Sequence, residues 1–529
     1  MRDPGPPLRP GRRSFLALTG VSTAAFVLGI EAPAFADITA TVPADPFGLG
    51  VASGDPTPDG VVLWTRLAPD PLAPDGHGGM PRRPVPVHWQ VATDERFRNV
   101  VRSGVAIASP ELAHSVHPEV RGLEPGREYF YRFRAGSEIS PVGRTRTAPA
   151  PHAMPSELRF AFASCQAWYH GYYTAYEHMV AEDPDLIFFL GDYIYEYAIN
   201  SSNLWREGVT LPSEHDAMVE TLEQFRLRYG LFKSDPLLQA AHATAPWIVT
   251  TDDHEVENNY AGDVSSVGIP PEHFLRRRAV GYRAFYEHMP LRSVHRPSGP
   301  DLPLYRRLHY GRLAQFDVLD TRQFRDPLPC GEVTGNCPER EDPKRTMLGY
   351  EQEAWLYDGL AASDAVWNVL AQSIVMARID RDLGPGETFS NEQWDGYPAA
   401  RDRLFAAFRR HQIHNPVVLT GDIHRSVAAN LKEDWLDPDS RTVGVELVCT
   451  SIASNGDGAD TDSYEPIWLG QPHVELYHAR RGYVSCRMTP TELTADFRAL
   501  PYIQRPGAPI STVARFVTEA GDPGLQREG

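Results

Sequence analysis

Two hydrophobic rhythms divide the chain. From Phe47 to about Arg146, apolar and polar residues alternate in short runs (61–67, 86–93 and 129–136) separated by turn signals, the period-two pattern of half-buried strands. Leu123-Glu124-Pro125-Gly126 followed by Tyr129 has the spacing of a tyrosine corner in a Greek-key sandwich. Residues 37–150 are therefore expected to form an all-β sandwich domain resembling a fibronectin type III module. A Pro/Ala-rich stretch at 147–155 ends it.

Beyond this linker the alternation disappears. Runs at 159–165, 185–192, 247–255, 313–322, 367–375 and 416–424 are almost continuously apolar and stop abruptly at polar residues. Segments with helical spacing fall between several of them, at 173–182, 223–230, 272–289, 350–363 and 400–411. Buried strands separated by helices predict an α/β domain over 156–505, with its site at the strand ends. Further strands are expected at 443–451 and 481–490, and a loosely ordered tail over 506–529.

The N-terminal 36 residues read as a targeting segment. Arg12-Arg13 precedes a moderately apolar stretch, and Ala34-Phe35-Ala36 forms a small-residue cleavage site. The twin arginine resembles a Tat signal, so the Tat export machinery is an expected partner, with cleavage after Ala36 and an extracytoplasmic, secreted product. The apolar run is too short for a comfortable membrane span, and stable membrane insertion is not expected. A monomer is expected.

Composition narrows the function. The 529 residues carry a formal charge of −18, which argues against a nucleic-acid-binding surface. Free phosphates are repelled too, unless bound cations invert the local sign. An oxidising compartment permits disulfides. Cys330 and Cys337 bracket a Gly-rich turn and are expected to pair. Cys449 and Cys486 lie in strand-like segments, where they either pair or stay as buried thiols, and Cys165 is left over among polar neighbours.

Four strand ends carry metal-grade ligands: Cys165, then Asp192 with Tyr195, then Asp252-Asp253-His254-Glu255, then Asp422-Ile423-His424. Each motif alone is weak or moderate. Strand termini of one sheet converge in space, however, so the four together point to one site. Hard oxygen donors such as Asp253 and Asp422 suit calcium, magnesium or manganese; Cys165, Tyr195 and His424 suit trivalent iron better. Arg322, after a buried strand, either grips a phosphate oxygen or pairs with Asp320 or another carboxylate. Trp394, Asp395 and Tyr397 either cover the mouth as a lid or pack as an ordinary loop. His473 reaches the pocket or is a satisfied buried histidine. Glu255 and Glu257 either fix a ligand from behind or face water.

With these motifs in place, the chain resembles a PhoD-type alkaline phosphatase of the calcineurin-like metallophosphoesterase superfamily. The resemblance runs from residues 47–67 through the strand-end motifs to residues 471–484. It implies a four-layer αββα sandwich for the catalytic domain. It also implies Fe3+ held by Cys165, Asp192, Tyr195 and His424, with Asp192 bridging to one or two Ca2+ held further by Asp253 and Asp422, and Gln372 or Asn258 as additional ligands. Hydroxide on the iron would attack phosphorus while His254 protonates the departing alkoxide. An aspartate stands where the superfamily usually has asparagine before this histidine. The family also contains phospholipase D-like phosphodiesterases, so small-molecule and lipid phosphoesters are both candidate substrates. A cell-surface binding module with a purely structural metal site is the rival class.

Overall fold

The continuously apolar runs become parallel strands that are buried on both faces. The computed structural model describes residues 42–528; the export segment and its cleavage site lie outside them. Leu158–Ala163, Leu186–Leu190 and Trp247–Thr250 pair in parallel, with Phe160 opposite Leu186 and Ile187 opposite Trp247. A second parallel set comprises Ala314–Val318, Trp367–Ala371, Pro416–Thr420 and Thr442–Val448. One 15-residue strand, Val474–Met488, joins the two. Its first half lies antiparallel to Ser426–Lys432 and its second half antiparallel to Leu158–Ala163, so the whole is one mixed sheet.

Three apolar cores explain why these strands lack alternation. Phe160 and Phe188 of the first limb meet Phe316, Val369 and Val417 of the second, with the Phe188 and Phe316 rings 5.0 Å apart. On the first limb's other face, Ile187, Phe189 and Val249 pack against helices α1 (Thr174–Ala181), α2 (Leu222–Lys233), α3 (Pro236–Thr244) and α4 (Pro271–His288). Helices α5 (Gly349–Ala361) and α6 (Pro398–Arg410) similarly cover Leu370 and Val418. Helix α2 begins with a capping box between Thr221 and Gln224.

The N-terminal part is all β. Val51–Thr57 and Gly60–Arg66 form one antiparallel pair; Val85–Ala92 lies between Val100–Ala108 and Glu128–Ala135 in the facing sheet. Val61, Leu63, Val87, Val91 and Phe133 fill the space between them. The Tyr129 hydroxyl accepts the Glu124 amide at 2.9 Å, the bond that the corner spacing predicted. This part is fastened to the rest: Trp64 Nε1 donates to the Glu287 carbonyl at 3.1 Å, and Arg306 Nε reaches Asp55 at 2.9 Å.

The segment from 506 onward is not a loose tail: Ser511–Glu519 and Asp522–Glu528 extend the sheet beyond Glu492–Leu500. Its alternation is carried by Ala514, Phe516 and Thr518, too few apolar residues to stand out in a polar sequence. Cys330 and Cys337 are disulfide-bonded, whereas Cys449 and Cys486 are separate buried thiols. Among the described residues no helix is long and apolar enough to cross a membrane.

Candidate metal centre

The strand ends are built by residues in an unusual backbone state. Cys165, Asp192, Asp422 and His424 all have positive φ, between 56° and 64°. Left-handed conformation costs a side-chain-bearing residue about 1–2 kcal/mol, and such strain clusters where structure serves function. Cys165, Asp192 and Asp422 each follow the end of a strand, and His424 precedes the strand Ser426–Lys432. Gly191 and Gly421 allow neighbouring strand ends to close up. A Cβ on Gly191 would lie 2.4 Å from the Asp252 Cβ, and one on Gly421 would lie 2.6 Å from the Ser164 side chain.

Asp192 stands at the middle of the result. Its carboxylate belongs to three groups of potential metal donors: with Cys165 and His424, with Asp253 and His254, and with Asp252, Asp253 and Asp422. Within each group the ligand atoms lie no more than 4.8 Å apart. The Tyr195 hydroxyl joins the first group, at 3.0 Å from both Asp192 Oδ2 and His424 Nε2. The four residues proposed for iron and the three carboxylates proposed for calcium are thus adjacent, with Asp192 common to both.

The chemistry of this cluster suits a cation. Burial, reinforced by neighbouring carboxylates, pushes the acids of Asp192 and Asp422 well above the carboxylate range; Asp252 is pushed up to about 6, also mainly by burial. Burial likewise raises the Cys165 thiol, helped by Asp192 and Asp422. Asp252 Oδ2 has no hydrogen-bond partner. Hard oxygens and an unpaired buried carboxylate oxygen, beside one thiol, one phenol and one imidazole, fit a mixed metal pair. His424 is held neutral, the ligating form, by burial and by Arg481 and Arg425. The Asn455 amide lies 2.9 Å from its Nδ1, the kind of outer contact that orients a metal-bound imidazole.

His254 lines the cavity above this floor. Its Nδ1 lies 2.7 Å from Glu196 Oε2. Burial opposes charge on the ring, but Glu196, Asp192 and Asp253 outweigh it and raise the imidazole well above its ordinary range. With Nδ1 engaged by Glu196, Nε2 remains for the cavity.

The remaining sequence candidates have other contacts. Arg322 is fully buried; its guanidinium pairs with Asp252 and with Glu392. These pairs make it a positioning residue for Asp252, while its Nη2 has no hydrogen-bond partner and lies 3.8 Å from Asp253 and 3.9 Å from Asp422. Asp320 instead accepts the backbone N–H of Arg322. The Gln372 amide is engaged by protein groups: its Nε2 donates to Thr420 Oγ1 at 2.7 Å, and its Oε1 accepts from Ile374 N and Trp394 Nε1. Asn258 is in the cavity wall, where its backbone N–H donates to Glu196. Trp394 and Tyr397 are buried, and Asp395 pairs with Arg401, so this segment is packing and not a lid. His473 is satisfied by the Arg378 carbonyl at 2.9 Å.

Glu255 faces neither water nor His424. It accepts backbone N–H groups from Asp192, Tyr193 and Asp252 and so ties two strand ends together; Glu257 binds Ser265 and Ser266. Sequence reasoning missed Glu196, Asn455, Glu392 and Gln393. Glu196 carried a usable signal, as a carboxylate beside Tyr195 in a strand-end motif. Asn455 carried none, since it sits in a loop far from the other motifs.

Comparison with known proteins matches this architecture. The PhoD-like phosphatase model covers residues 160–497, and the model of the PhoD-like phosphatase N-terminal domain covers residues 32–149. Alkaline phosphatase D of Bacillus subtilis (strain 168) is 50% identical over 486 residues, which span 91% of this chain and 82% of that one. A solved structure described as that of PhoD superposes with a TM-score of 0.87 at 48% identity, covering 94% of each chain. These likenesses make the protein a phosphoric ester hydrolase. The chain belongs to the PhoD-like phosphatase family, and both of its parts match.

Proposed function

We propose that the chain is an exported, metal-dependent alkaline phosphatase or phosphodiesterase, acting extracytoplasmically as a monomer after Tat-type export. The observation that carries this reading is the sharing of Asp192 among three donor groups on the floor of a cavity. The fold is read as a fibronectin III-like module beside an αββα metallophosphoesterase domain. Support comes from the Tyr129 corner and from two sheet limbs that share one core and carry helices outside.

Cys165, Asp192, Tyr195 and His424 would hold Fe3+, and Asp192, Asp253 and Asp422 would hold Ca2+. Bound there, the two cations would supply Lewis acidity and neutralise phosphate oxygens in an in-line displacement. The chain's own contribution is positional. Glu255 and Arg322 fix the loops bearing Asp192, Asp252 and Asp253. Glu196 keeps a proton on His254 Nδ1 and stabilises the charged ring, so that Nε2 can give its proton to a departing alkoxide. The buried carboxylates keep the site preorganised for positive charge.

A cavity of about 430 Å³ exceeds what a bare phosphate group fills, so a second substituent on phosphorus can be accommodated. The test compares hydrolysis of p-nitrophenyl phosphate and bis-p-nitrophenyl phosphate by wild type and Asp253→Asn, with metal content measured on the same samples. Turnover lost in Asp253→Asn together with metal supports the reading. No turnover of either ester by fully metallated wild type would overturn it, in favour of a binding protein with a structural metal site.

A further inference from the structure

The cavity has two chemically distinct halves. One is the acidic floor. The other is a wall formed by Ile379, Ile423, Tyr464 and Trp468, with Arg381 and Arg425 beside it. We infer that this wall is a subsite for a planar aromatic substituent of the phosphoester, with an anionic or acceptor edge directed to Arg381. The inference rests on the phosphoester reading above and extends it to substrate class: aryl or nucleoside phosphoesters over glycerol-type ones.

The wall is a built surface. Asp462 accepts from Arg425 Nη2 at 2.7 Å, from the Tyr464 amide at 2.9 Å and from the Tyr477 hydroxyl. One carboxylate thereby fixes a guanidinium and the backbone of the aromatic residue at the start of α7 (Glu465–Leu469). The Tyr464 ring, although 41% exposed, is flanked by two cations, with Arg381 5.7 Å and Arg425 5.4 Å from its centroid. Guanidinium groups near a ring face add to the binding of planar π systems.

The two arginines differ in a way that gives the wall its polarity. Arg425 is neutralised by Asp462. Arg381 makes no ion pair among the described residues; its backbone N–H is anchored on Thr388 O at 2.7 Å, and its guanidinium has only the Tyr464 ring as a partner. In a protein of net charge −18, an uncompensated half-buried cation at a cavity edge attracts anionic or acceptor groups of a ligand. Ile379 and Ile423 supply the apolar contact, and the few polar groups fix orientation, the usual division in a ligand pocket.

The test measures equilibrium binding of two non-hydrolysable probes, phenylphosphonate and methylphosphonate, to the metallated enzyme by calorimetry. The expected result is phenylphosphonate bound about tenfold more tightly, because stacking of one aromatic group is worth that order of affinity. In Tyr464→Ala the ratio should fall toward one, and Tyr464→Phe should restore it. Arg381→Gln should weaken 4-carboxyphenylphosphonate more than phenylphosphonate. Equal binding of the two probes to wild type, or a ratio unmoved by Tyr464→Ala, overturns the subsite while leaving the phosphoester reading intact. Failure of both probes to bind overturns that reading and the subsite with it. Tyr464 and Arg381 are exposed enough for their variants to fold, and circular dichroism on the same samples checks this.

Discussion

Glu196 holds His254 through a 2.7 Å contact to Nδ1 while its other oxygen accepts the backbone N–H of Asn258 at 2.9 Å. A single buried carboxylate thus fixes the orientation of the ring and the loop that carries it. Outer partners of this kind change activity by about 10–100-fold when removed. Glu196→Gln is expected to lower kcat by that factor with little change in KM. His254→Ala should lower kcat by about 10²–10⁴. If Glu196 acts only through His254, the double variant is no worse than His254→Ala. Additive losses in that steady-state cycle would refute the dependence.

Gly191 precedes Asp192 at φ 104° and leaves no room for a Cβ against Asp252. Gly191→Ala therefore combines a strained backbone with a clash of two strand ends. The expected cost is at least ~3 kcal/mol, and metal affinity should fall with it because Asp192 must move. Denaturant unfolding and metal analysis of the purified variant would show both effects. A variant of wild-type stability and metal content would contradict the close approach.

The Cys330–Cys337 loop braces the cavity wall from behind. Thr334 and Gly335 pair with Ser390 and Phe389, and Arg340 lies 3.8 Å from the Phe389 ring centroid. The same segment continues to Glu392, which pairs with Arg322, and Gln393, whose Nε2 donates to Asp422. Closing a loop this short stabilises the fold by about 2–3 kcal/mol in the chain-entropy view. Cys330→Ser with Cys337→Ser should lower the midpoint of unfolding and loosen metal at Asp422, raising the metal concentration needed for half-maximal activity. Unchanged metal dependence would mean that the brace ends at Phe389.

His117 and His473 give the protein an acid-sensitive stability. Burial disfavours the charged ring and pulls both down to about 4. The unfolded chain, with histidines near 6.5, binds more protons between pH 6.5 and 4. Their contribution is therefore complete above pH 6.5 and is lost as the pH falls toward 4, by up to about 3 kcal/mol each. Glu446, raised by burial to about 6, works in the opposite direction over part of this range. Urea midpoints at pH 7.5, 5.5 and 4.5 would measure the net slope. His117→Gln should flatten it, and a slope unchanged in that variant would assign the acid sensitivity elsewhere.

Much of this was legible in the sequence because its cause is local. Strands buried on both faces must be continuously apolar, so runs such as 185–192 and 416–424 announced a covered parallel sheet, and their abrupt polar ends announced the site. Cys165, Asp192, Asp253 and His424 stood out as donors at or just beyond those ends, and the structure gathers them around Asp192. The strands after residue 506 were missed because sparse apolar alternation resembles a polar tail until its partner strand is known.

What the sequence determined, then, is which residue types stand at the ends of buried strands. Only the tertiary structure decided how their unused atoms are shared. Arg322 and Gln372 carried the right chemistry, but Asp252 and Glu392 engage two nitrogens of the one, and Thr420, Trp394 and Ile374 engage the amide of the other. Glu196 and Asn455 entered the site because folding brought them against imidazole nitrogens. A hydrogen bond needs its partners within about 3 Å, and that proximity is created by chain packing, which residue spacing does not encode.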